Sequence, residues 1–116
     1  MENKVKKEVA FQDFDKIEIR VGTIINVVDF PYAHKAAYQL LIDFGAEIGI
    51  KKSSAQITKK YTKEELIGKQ IVAVVNFPRK QIGNFMSECL VLGSMDKEDV
   101  ILLTTDKQVS NGLLIG

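Results

Sequence analysis

A single cysteine, Cys89, stands with two prolines, one histidine and no tryptophan in a chain of 116 residues. One thiol cannot close an internal disulfide, so the fold has to rest on burial of apolar surface. His34 has no second histidine and no cysteine at ligand spacing, which leaves no zinc-type site. The longest apolar run, Ile71–Val75, is far too short to span a bilayer. The first residues mix Glu2, Lys4, Lys6, Lys7 and Glu8 without an apolar stretch, unlike a secretory signal. No glycine-rich phosphate loop, repeat or low-complexity tract interrupts the chain. These absences predict one cytoplasmic domain without membrane insertion, metal or cofactor.

What is present is mostly β-branched. Leu, Ile, Val and Phe number 39, and Ile plus Val number 24 against 9 Leu, a bias toward strands. A chain of 13.0 kDa buries about two-thirds of its unfolded surface, enough for one core. The net charge of +1 hides segregation: residues 1–34 carry −1, residues 35–80 carry +5 and residues 81–116 carry −3. A basic middle third suggests a polyanionic partner or, alternatively, a solvated lysine-rich face.

Along the chain, residues 1–12 read as an N-terminal tail and 13–116 as the domain. Residues 11–16 predict one helical turn with Phe11 and Phe14 on one side. From Ile17 the period changes to two, placing Ile17, Ile19, Val21, Ile25 and Val27 on one face, with Gly22 as a bulge or barrel corner. A loop follows Pro31. Tyr38, Leu40, Ile42 and Phe44 then alternate with Gln39 and Asp43, and Gly45-Ala46 turns into a third strand near Glu47. Asp43-Phe44-Gly45 matches a kinase tripeptide without the rest of that signature and reads as a hairpin turn. Thr62-Lys63-Glu64-Glu65 is a capping box for a short helix closed by Gly68. A buried strand over 69–77 follows, then a loop from Pro78 to Met86, then strands at 89–92 and 100–103 around the acidic turn Asp96–Asp99. Three strands, a helix, then further strands is the order of an all-β, five-stranded OB-fold barrel with its short helix between strands 3 and 4. An SH3-like barrel or a small sandwich fits the same strand count.

No acid/base or nucleophile constellation is present, so no enzyme activity is expected. His34 reads as a surface-loop residue and Cys89 as a buried structural thiol. The informative run is Lys51-Lys52-Ser53-Ser54-Ala55-Gln56-Ile57-Thr58-Lys59-Lys60, with four lysines and no acid. Lysines supply charge for phosphates, and Ser and Gln hydrogen-bond phosphate or sugar oxygens. Asn76-Phe77-Pro78-Arg79-Lys80 adds an amide, an aromatic and two cations. Phe30, Tyr32, Phe77, Phe85 and Met86 lie near predicted loops and are candidates for open apolar pockets that accept polypeptide, or else for caps on the barrel ends. Glu88, Asp96, Glu98 and Asp99 place acid in the last third, where a basic segment can bind apart from the lysine face.

Ile19-Arg20-Val21-Gly22, Asp43-Phe44-Gly45, Ser53-Ser54-Ala55-Gln56-Ile57, Asn76-Phe77-Pro78 and Ser87-Glu88 occur in the order and spacing of the tRNA-binding OB domain. That domain is appended to some methionyl- and phenylalanyl-tRNA synthetases and also stands alone. The Ser-Ser-Ala-Gln-Ile and Asn-Phe-Pro segments resemble most closely its CsaA branch, described as export-related chaperones. The resemblance covers 13–116 and implies an OB barrel, a homodimer, binding of tRNA or other structured RNA, and affinity for unfolded or preprotein segments. It places Ser53, Ser54, Gln56, Asn76, Lys80 and Ser87 on the RNA face, beside Lys51, Lys52, Lys59 and Arg79 from the charge argument. The broader family usually has Ser-Gly-Ile where this chain has Ser53 to Ile57. Asn84 replaces a family glycine and is expected to hold the positive φ of that turn. The apolar residues Leu113, Leu114 and Ile115, the strands at 89–103 and the Phe11/Phe14 segment are the expected dimer patch. A non-catalytic RNA module working alone or beside a synthetase is the alternative to the chaperone.

Overall fold

The computed structural model describes residues 4–31, 33 and 35–116; the readings of Tyr32 and His34 lie outside the described residues. Helix α1, Phe11–Asp15, precedes strands β1 (Ile19–Asp29), β2 (Tyr38–Asp43) and β3 (Ile50–Ala55). Helix α2 (Lys63–Leu66) comes next, then β4 (Gln70–Val74), β5 (Lys80–Ile82), β6 (Phe85–Ser87), β7 (Leu90–Val91), β8 (Gly93–Asp96) and β9 (Asp99–Leu102). Five strands pair antiparallel in the order β3-β2-β1-β4-β7. The β3 edge then turns back onto residues 87–89: the Glu88 N–H donates to the Lys52 carbonyl at 2.8 Å. This nearly closed barrel, with α2 between strands 3 and 4, is an OB-fold.

Tyr38, Leu40 and Ile42 point inward along β2 as their alternation predicts, and buried Phe44 follows. Ile24, Ile57, Ile71 and Leu66, the single buried residue of α2, join them in one cluster. Full burial of each such side chain stabilises by about 1.5–3 kcal/mol. The Glu65 N–H donates to Thr62 Oγ1 at 3.3 Å, so the predicted cap forms.

Several sequence expectations need correction. The bulge in β1 is not at Gly22: pairing with β2 slips between Ile24 and Asn26. The extra residue reverses the alternation, leaving Ile25 41% exposed while Val21 and Val27 are buried; exposed Ile17 precedes the strand. Gly22 is instead a close approach, because a Cβ there would lie 2.7 Å from Ile42 Cγ2 and 2.8 Å from the Phe44 ring. The turn after β2 spans residues 44–49, closed by the Phe44 N–H on the Gly49 carbonyl, and β3 starts at Ile50 rather than near Glu47.

The segment 78–86, read as a loop, contains the β5–β6 hairpin, in which Lys80 opposes Ser87 and Ile82 opposes Phe85. Its positive φ belongs to Gly83 at 60°, not to Asn84. The acidic turn falls between β8 and β9, with Lys97 at φ 59°.

Candidate nucleic-acid and polypeptide interface

A groove of about 490 Å³ opens between the end of β3, the loop after β4 and the β8–β9 hairpin. Its polar side chains are Ser54, Gln56, Lys80 and Ser87. Phe77, Pro78, Ile82, Leu90 and Met95 supply much of the apolar lining, and the hairpin adds Gly93, Val100 and Leu102. Phe77 is 46% exposed and Met95 62% exposed, so apolar surface meets solvent. The chain leaves the sheet after β4 ends at Val74, and Pro78, which has no N–H to pair, sits in the irregular stretch that carries Phe77.

Five of the expected site residues therefore meet: Ser54, Gln56, Phe77, Lys80 and Ser87. Ser87 also holds the barrel shut, its Oγ accepting from the Ser54 N–H at 3.2 Å. Arg79, next to Lys80, is exposed and makes no ion pair among the described residues.

Other expected residues have different work. Ser53 is 1% exposed, and its hydroxyl donates to the Cys89 carbonyl at 3.2 Å; it faces inward opposite Leu40, so its polar group is spent inside the barrel. Asn76 is committed to backbone: its Nδ2 donates to the Lys16 carbonyl at 2.8 Å, and its Oδ1 accepts from the Glu18 N–H at 2.9 Å. It ties the segment after α1 to the end of β4.

Lys51 and Lys52, adjacent on a strand, point to opposite faces. Lys51 opposes inward Ile42, whereas the Lys52 ammonium lies 5.4 Å from the centroid of the Phe85 ring. Lys59 and Lys60 are paired, with Glu98 at 2.8 Å and Asp99 at 3.8 Å. The lysine run is thus not one cationic face.

Phe30 and Phe85 are not open pockets. They are 4% and 8% exposed and pack against each other at 5.3 Å between ring centroids, with Ala37 beside them in a small second core. Met86 is half-buried and does not line the groove. Cys89 is buried, and desolvation pushes its thiol up to about 12, which keeps it protonated and unreactive at neutral pH. Among the described residues no cluster of His, Cys, Asp and Glu could hold a metal, and no helix is long and apolar enough to cross a membrane.

Sequence reasoning missed Leu90, Met95 and the rest of the hairpin wall. Each lies in a short strand whose exposed side carries apolar residues, so alternation does not mark the inner face. A second apolar face joins Phe11, Phe14, Leu114 and Ile115, brought together by pairing of the C-terminal segment with β1.

The OB barrel thus carries a solvent-open, partly aromatic groove with Lys80 in its lining. Residues 19–113 match the family described as "Putative tRNA binding domain". The chaperone CsaA from Bacillus anthracis str. Ames is 48% identical with a TM-score of 0.91, over 95% of this chain and 100% of that one. The CsaA chaperone protein from Picrophilus torridus is 55% identical with a TM-score of 0.89, over 94% of this chain and 100% of that one. The methionine–tRNA ligase of Pyrococcus horikoshii is 38% identical across 96% of this chain, which spans only 15% of the ligase. The chain belongs to the tRNA-binding domain family, in the branch that includes the CsaA proteins.

Proposed function

We propose that this chain is a non-catalytic, CsaA-like chaperone of the cytoplasm that captures unfolded or preprotein segments for export, with tRNA as a second ligand. The groove carries the reading. Phe77, Leu90 and Met95 present apolar and flexible surface to solvent within one concavity of about 490 Å³, the kind of site that takes varied extended side chains. Ser54 and Gln56 offer hydrogen bonds to a peptide backbone beside that surface. The similarity to proteins named CsaA chaperones supports the same reading.

RNA binding is favoured by a separate observation: half-exposed Phe77 stands beside Pro78, Arg79 and Lys80, which combines a stacking face with phosphate-binding cations. Titration of a fluorescent basic-apolar peptide and of labelled tRNA against one preparation tests both. Peptide affinity is expected in the micromolar range and to fall about tenfold with Phe77→Ala plus Met95→Ala, a loss of about 1.4 kcal/mol of apolar contact. Absence of peptide binding would hand the groove to RNA alone.

The exposed Phe11, Phe14 and Leu114 face supports a homodimer, since surface of this kind is normally covered. Sedimentation equilibrium at micromolar concentration should return about twice the chain mass, and a Phe11→Asp variant should return the monomer.

A further inference from the structure

We propose that Glu98 and Asp99, at the tip of the β8–β9 hairpin, determine ligand choice by occupying Lys59 and Lys60 and so restraining RNA at the groove rim. The inference rests on the reading that the groove region takes RNA as its second ligand. Gln56 and Ile57 line one wall of the groove, and the chain runs from them directly to Lys59 and Lys60. Gly93, Met95, Val100 and Leu102 of the hairpin line the wall that carries the acidic tip. Across the rim the Lys59 ammonium lies 2.8 Å from Glu98 Oε1, and the Lys60 ammonium lies 3.8 Å from Asp99 Oδ2. Each member of the first pair strengthens the charged form of the other: Glu98 raises the Lys59 pKa, and Lys59 lowers that of Glu98.

The hairpin is its own two-stranded sheet. Near its base, the Leu102 N–H donates to the Tyr61 hydroxyl at 3.0 Å and the Leu103 N–H to the Leu92 carbonyl at 3.1 Å. At its tip the two ion pairs join it to Lys59 and Lys60. Carboxylates there hold the positions that phosphates would take on these lysines. A polyanion must displace them to reach these lysines, whereas a polypeptide seated on the apolar groove leaves both pairs closed. By contrast Lys52, Arg79 and Lys80 are exposed and make no ion pair among the described residues, so they remain open to phosphate.

The test compares tRNA anisotropy across a salt series for the parent, for Glu98→Gln with Asp99→Asn, and for Glu47→Gln with Asp106→Asn. The last variant makes the same change in net charge at exposed acids that make no ion pair among the described residues. Freeing two lysines should steepen the slope of log affinity against log salt by about 1.4 and raise low-salt affinity about fivefold, with the control near the parent. A second variant works from the other side. Adding Lys59→Gln with Lys60→Gln to the tip variant should return affinity and salt slope to within about twofold of the parent, because the freed cations are the source of the gain. Equal gains in the tip variant and the control, or a gain that survives loss of the two lysines, would overturn the masking role while leaving RNA binding intact. No tRNA binding by the parent or either variant would overturn the RNA reading together with the inference.

Discussion

Phe77 precedes the short β5–β6 hairpin and Phe85 belongs to it, and the two have opposite fates. Phe85 opposes Ile82 at the hairpin end and is driven into contact with Phe30, so that it is 8% exposed. Phe77 stands before Pro78, where the barrel strand has ended, and keeps nearly half its surface in the groove. Both residues are aromatics near loops in the sequence. The lesson is that loop proximity does not make an aromatic available. What decides is whether a neighbouring element places another apolar side chain against it, as β1's end does for Phe85 and nothing comparable does for Phe77.

Truncating both residues is the sharpest way to break this contrast. Phe85→Ala should cost about 3 kcal/mol of unfolding free energy in urea, because it empties the small second core. Phe77→Ala should change stability by less than about 0.5 kcal/mol and act on ligand affinity instead. Equal destabilisation by the two would mean that Phe77 is also a core residue, and the groove would lose its aromatic wall.

A pH effect, smaller per pH unit, probes the barrel seam, where Cys89 belongs to the main core cluster. The Cys89 thiol is neutral in both folded and unfolded chains below its ordinary value of 9.0. Between 9.0 and about 12 the unfolded chain ionises while the folded one does not. Stability should therefore fall as pH rises through this window, by about 1.4 kcal/mol per pH unit from this group. The measurement is the difference in pH slope between the parent and Cys89→Ala; parallel curves would show that the thiol is not held in an apolar seam.

The barrel was legible because its signals are local. Alternation marked Tyr38, Leu40 and Ile42, the Thr62 cap marked α2, and the order of elements marked the fold. The groove was only partly legible. Ser54, Gln56, Lys80 and Ser87 were found by residue type and resemblance, but the β8–β9 wall depends on how a hairpin packs across the barrel, which strand periodicity does not encode. Ser53 and Asn76 carry polar groups suited to RNA and use them on backbone, a fate set by partners 36 and about 60 positions away. The lysine run misled for the same reason: its acids of opposite sign come from the far end of the chain.

Strand β1 has a further consequence, which concerns time. Its first half is hydrogen-bonded on one side to β4 and on the other to the C-terminal segment: the Val21 N–H donates to the Leu113 carbonyl, and the Gly112 and Ile115 N–H groups donate back to Val21 and Ile19. The Arg20 guanidinium adds a bond to the Gly112 carbonyl across a separation of 92 residues. Contacts this distant in sequence make folding slow, since loop closure must precede any gain from pairing. During synthesis the edge of the first strand waits unpaired until the residues around 112–115 have left the ribosome. Over that interval the nascent barrel carries an open β-edge of the kind that recruits other chains.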